Sequence, residues 1–67
     1  MINIVKKSII EFYKNNSKDT AMSFDDVSKA TNLPEDDIDK ALRQLINERF
    51  ICNPLWADDV ASIFYLK

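Results

Sequence analysis

V-S-K-A-T-N-L-P-E-D-D-I-D-K-A-L-R-Q-L-I-N-E-R-F-I, residues Val27–Ile51, is the stretch that decides how this chain folds. Ile38, Leu42, Leu45 and Arg49 recur at spacings of four, three and four, with Ala41 and Ile46 beside them. That period puts one apolar stripe on a helix. The run that begins at Val27 reads as a shorter helix, and Asn32-Leu33-Pro34 as the tight turn between the two. Asn tolerates the left-handed conformation that ends many helices. Pro34 suits a first-turn position, where its missing N–H costs nothing. Asp36, Asp37 and Asp39 lie near the positive end of the helix dipole, which favours them there. Asp36–Lys40 and Asp39–Arg43 are carboxylate-before-base pairs at i, i+4, each worth roughly 0.2–0.5 kcal/mol. Phe50 and Ile51 lead out of the helix.

Upstream, Ser23 has the character of an N-cap, with Asp26 completing a capping-box-like arrangement. Phe24, Val27, Ala30 and Thr31 are expected on the inward side of the helix it starts. Asn15-Asn16-Ser17-Lys18-Asp19 is a polar loop with helix-stop composition. Before it, Met1–Asn15 reads as a first helix with Ile2, Val5, Ile9, Phe12 and Tyr13 on one face and Ile10 at its edge. Ile4 projects onto the polar side, next to Lys7 and Glu11. It is expected as a lone exposed apolar residue, with a place in a partner surface as the sharper reading. Downstream of Ile51 the period becomes extended. Cys52–Trp56 is a candidate strand, which Pro54 makes an edge or interrupted one, because Pro cannot donate to a ladder. Ala57-Asp58-Asp59 is the turn and Val60–Leu66 the returning strand. Leu55 and Trp56 are expected on opposite faces of one strand, Phe64 and Tyr65 on opposite faces of the other.

Val27–Ile51 resembles the winged helix-turn-helix families, such as the MarR-type and ArsR-type regulators. Thr31 and Leu33 match their turn, Ile38, Leu42 and Leu45 the core of their recognition helix, and Phe50-Ile51 its exit. Asn32 and Arg49 stand where those families favour Gly, so the closure of the last helical turn is the open point. The resemblance implies an α+β winged helix-turn-helix over residues 1–67: three helices, a short strand at Thr20-Ala21-Met22, and a C-terminal β-hairpin wing. It also implies that the outer face of the third helix is the contact surface.

Composition narrows the function. The 67 residues contain no Gly, so positions of positive φ must fall to Asn, Asp or a strained residue. There is no His, which excludes imidazole catalysis and most zinc sites. Cys52 has neither a second Cys nor a His to activate it, and reads as a small packing residue. The acids around Glu35 lack the spacing and the Gly of a calcium loop. No catalytic site, cofactor, metal or small-molecule substrate is expected. A single Cys suits a reducing compartment. No run is long enough to span a membrane and none resembles a signal peptide, so a cytoplasmic protein is expected.

The third helix offers Asp36, Asp37, Asp39, Lys40, Arg43, Gln44 and Asn47 on its outer face, with Glu35 alongside. Lys40, Arg43, Gln44 and Asn47 are base or phosphate readers in type. Three carboxylates lead the face, however, and the wing tip carries Asp58 and Asp59. DNA presents about one negative charge per 1.7 Å of axis, and affinity for it comes from cations. A formal net charge of −2 adds no general attraction. Trp56 is a typical interface anchor. The expected role is a non-catalytic regulatory module that docks on a protein partner or a second copy of itself. It would use the acidic helix or the apolar wing. A DNA-binding transcriptional regulator is the alternative.

Overall fold

The computed structural model describes residues 2–67. Its elements are α1 (Ile2–Lys14), β1 (Met22–Ser23), α2 (Phe24–Thr31), α3 (Glu35–Asn47), β2 (Ile51–Ala57) and β3 (Val60–Leu66). This is an α+β fold in which three helices pack against an antiparallel three-stranded sheet of order β1-β3-β2. Met1, the expected start of the first helix, lies outside the described residues.

Each helix end has a local cause. Ser23 Oγ accepts from Asp26 N–H and an Asp26 carboxylate oxygen accepts from Ser23 N–H, both at 3.0 Å, so the capping box before α2 is complete. α2 stops at Asn32, which is left-handed at φ 56° and donates its N–H to the Ser28 carbonyl at 2.8 Å. Pro34 sits one position earlier than expected: it is the N-cap of α3, and its carbonyl accepts the N–H groups of Asp37 and Ile38. Arg49 does not belong to the apolar stripe of α3. The helix ends at Asn47, and Arg49 is exposed with φ 64°. Phe50 N–H donates to the Leu45 carbonyl at 2.9 Å and Arg49 N–H to the Ile46 carbonyl at 3.0 Å. These two bonds form a Schellman closure, with Arg in the left-handed position that Gly usually fills.

The core draws on every element. Val5 and Ile9 of α1, Met22 of β1, Val27 of α2, Ile38, Ala41, Leu42 and Leu45 of α3, and Ile51, Ala61 and Phe64 of the hairpin are buried. Phe24 and Thr31 of α2 are half-buried, as an inward side requires, but Ala30 is exposed. It borders a groove between α1 and α2 that no described residue fills. Tyr13 anchors the loop after α1 by donating its hydroxyl to the Thr20 carbonyl at 2.7 Å.

The first strand is Met22–Ser23, not Thr20–Met22; it pairs Met22 with Phe64 and Ser23 with Ile63. β2 is an edge strand, and its ladder is interrupted where Pro54 predicts. Between the pairs Cys52–Tyr65 and Leu55–Ile63, Asn53 and Pro54 oppose the single residue Phe64, and Asn53 has φ 52°. The result is a bulge that absorbs a residue with no N–H to donate. The register shifts again between Leu55 and Trp56. The extra residue at this second shift is Ser62 of β3, and both Leu55 and Trp56 are exposed, by 60% and 46%. The hairpin turns at Asp58 and Asp59, whose φ values of 52° and 65° match the two positive values of a type I′ turn.

Candidate functional site

The outer surface of α3 and the adjoining end of the hairpin form one continuous surface, and Arg43 joins its two parts. The Arg43 Nε–H lies 3.0 Å from both carboxylate oxygens of Asp39, one turn earlier on the same helix. Its guanidinium carbon stands 4.8 Å from the centre of the Trp56 ring. A terminal N–H donates to the backbone carbonyl of Asp59 in the turn. One side chain thus satisfies a carboxylate, an aromatic face and a turn carbonyl on two elements.

The expected contact residues separate into groups around this link. Arg43, Asn47 and Trp56 come together with Ile46 around a shallow depression of about 250 Å³. Asp37, Lys40 and Gln44 lie on the other flank of α3, where they surround a second depression of about 210 Å³ with Ile2 and Ala41. Glu35 and Asp36 are exposed at the start of the helix, while Asp37 and Asp39 are half-buried. The Asp39–Arg43 pair forms as its spacing predicts, but Asp36–Lys40 does not: among the described residues the ion pairs are Lys14–Glu11, Lys29–Asp25 and Arg43–Asp39. Gln44 is engaged along its own helix, donating its amide to a Glu48 carboxylate oxygen at 2.9 Å.

Sequence reasoning misses the role of Asp59 and of Ile46 beside Trp56. Both depend on the hairpin turning back against α3, and no local pattern reports that contact. Cys52 is half-buried and borders a third depression, with Lys18, Asp19 and Tyr65 among its neighbours. Among the described residues no group of three or more His, Cys, Asp or Glu side chains is placed to hold a metal ion. No described helix is long and apolar enough to cross a membrane. In comparison with known proteins, no family model, curated protein or solved structure matches the chain.

Proposed function

We propose that this chain is a winged-helix regulatory module that works by docking on a protein partner through α3 and the tip of its hairpin. The order helix, short strand, helix, helix, hairpin supports the winged-helix reading, and so does the Schellman closure at the exit of α3. The observation that carries docking is the exposure of Leu55 and Trp56 next to an acidic hairpin turn, Asp58 and Asp59. Large apolar side chains framed by charge suit a partner with an apolar socket and basic neighbours.

The same geometry argues against the major groove of DNA. Arg43, the strongest base-reading side chain on the face, is neutralised by Asp39 and held against Trp56. Extracting it would break three interactions before any contact with a base is made. Lys40 remains as the cation of the outer surface, next to Asp36 and Asp37.

Two measurements test this reading together. Titration of mixed-sequence duplex DNA at low salt is expected to give weak binding with a shallow salt dependence, because few counterions are released. A partner identified by crosslinking and then purified is expected to lose affinity for Leu55→Ser and Trp56→Ser proteins whose circular dichroism matches wild type. Tight binding of one particular duplex at physiological salt would replace docking by the transcriptional-regulator reading.

A further inference from the structure

A second surface lies away from α3 and the hairpin tip. Between α1 and α2 runs an open groove of about 650 Å³. Ile4 stands 51% exposed on its edge, and Met22, only 1% exposed, contributes to its floor. Ile4, Ser8 and Phe12 follow one another every four residues along α1, so they form one continuous ridge bordering the groove. The α2 side offers Asp26, Lys29, Ala30 and Thr31. Asp26 is engaged in the capping box and Lys29 pairs with Asp25, while Ala30 and Thr31 are short side chains that let another helix approach closely.

We infer that this groove is the self-association face of the chain, occupied by α1 of a second copy running antiparallel about a two-fold axis beside Ser8. Ile4 and Phe12 lie at equal distances on either side of Ser8, so the axis sets Ile4 of each copy against Phe12 of the other. Ser8 is small enough to sit on the axis. Its hydroxyl already donates to the Val5 carbonyl at 2.7 Å, so covering it strands no donor.

The charges choose the occupant. Lys7 and Glu11 stand one turn apart on the solvent side of the ridge, and both border the groove. Antiparallel pairing carries Lys7 of one copy to Glu11 of the other, and symmetry makes that contact twice. Lys7 has no ion pair among the described residues. Glu11 has only a solvent-exposed pair with Lys14 at 3.3 Å, which is weak and readily exchanged. A rim of one sign would call for a foreign partner of the opposite sign; a rim with both signs in this order complements itself. A helix of 13 residues presents roughly 20 Å of length, so the contact is smaller than a standard interface of ~800 Å² per partner. The dimer is accordingly weak and concentration-dependent.

Sedimentation equilibrium of the full chain, from micromolar to millimolar concentration, tests this. Wild type is expected to pass from monomer to dimer. Lys7→Glu and Glu11→Lys each place like charges opposite one another twice, and each should weaken the dimer by at least about tenfold. An equimolar mixture of these two variants should recover dimer, because each then meets its opposite. Ile4→Asp, at an exposed position, should leave the circular dichroism unchanged and the chain monomeric. Trp56→Ser should leave the dimer intact. A wild type that stays monomeric throughout overturns the proposal. So does a dimer indifferent to Ile4→Asp, or a variant mixture that associates no better than its components.

Discussion

Arg49 holds a conformation that its side chain does not favour. At φ 64° its Cβ crowds the following carbonyl, which costs about 1–2 kcal/mol for an L-residue. The closure persists because Phe50 and Arg49 satisfy two carbonyls that the end of α3 would otherwise leave open, and because Phe50 packs on the core. Glycine removes the crowding at the cost of a more disordered unfolded chain. Arg49→Gly is therefore expected to stabilise the fold by about 0.5–1 kcal/mol, which in a chain this short raises the melting temperature by about 2–8 °C. A thermal melt checks it; an unchanged or lower midpoint would mean that the Arg49 side chain makes a compensating contact. The other four positive-φ residues, Asn32, Asn53, Asp58 and Asp59, are of the two types that best tolerate the left-handed region after Gly. In a chain without Gly that assignment is readable in advance, and among the described residues Arg49 is the positive-φ position that falls to neither Asn nor Asp.

Among the elements, α3 contributes the largest share of the core. Leu42 is fully buried at its centre, so Leu42→Ala is expected to cost ~2–5 kcal/mol, read as a lower denaturation midpoint in urea. A curve superimposable on wild type would put the wrong face of α3 inward. The link from α1 to β1 depends on Tyr13. Losing its bond to the Thr20 carbonyl in Tyr13→Phe should cost about 1 kcal/mol at neutral pH. Burial pushes the phenol above its ordinary value of 10.0, because the folded surroundings disfavour the charged form. A raised acid contributes stability that is fully present below pH 10.0 and is lost as pH rises through the folded value. Wild type should therefore lose stability above pH 10.0 more steeply than Tyr13→Phe does. Parallel alkaline denaturation curves for the two proteins would contradict this.

For the whole molecule, charge placement matters more than net charge. The chain is only two negative charges from neutrality, yet acids occupy both the leading edge of α3 and the hairpin turn. Asp36→Asn with Asp37→Asn should raise non-specific duplex affinity severalfold at low salt, since two repelling carboxylates disappear. Adding Asp39→Asn should raise it further, because the same change releases Arg43 from its ion pair. Fluorescence anisotropy with labelled duplex reads both effects, with circular dichroism guarding against loss of dipole stabilisation. If these changes lower the affinity instead, the carboxylates contact bases and the surface is a reading head for DNA.

Local pattern alone determined the three helices, the hairpin, the capping box at Ser23, the break in β2 at Pro54 and the buried face of α3. Each rests on interactions within a few residues: helical period, side-chain caps, and the conformational limits of Pro, Asn and Asp. Tertiary structure alone decided what those elements expose to one another. Leu55 and Trp56 both remain exposed, and the α3 side chains beside Trp56, Arg43 and Ile46, line an open depression rather than cover it. Ala30 and Ile4 border an open groove because α1 and α2 meet without filling the space between them. Arg43 passes from a candidate reader of DNA to the tie between helix and hairpin because Trp56 and the Asp59 carbonyl arrive beside it from residues 13 and 16 positions further along the chain. Such contacts depend on how far each element turns back on the others, and the spacing of residues within one element carries no record of that.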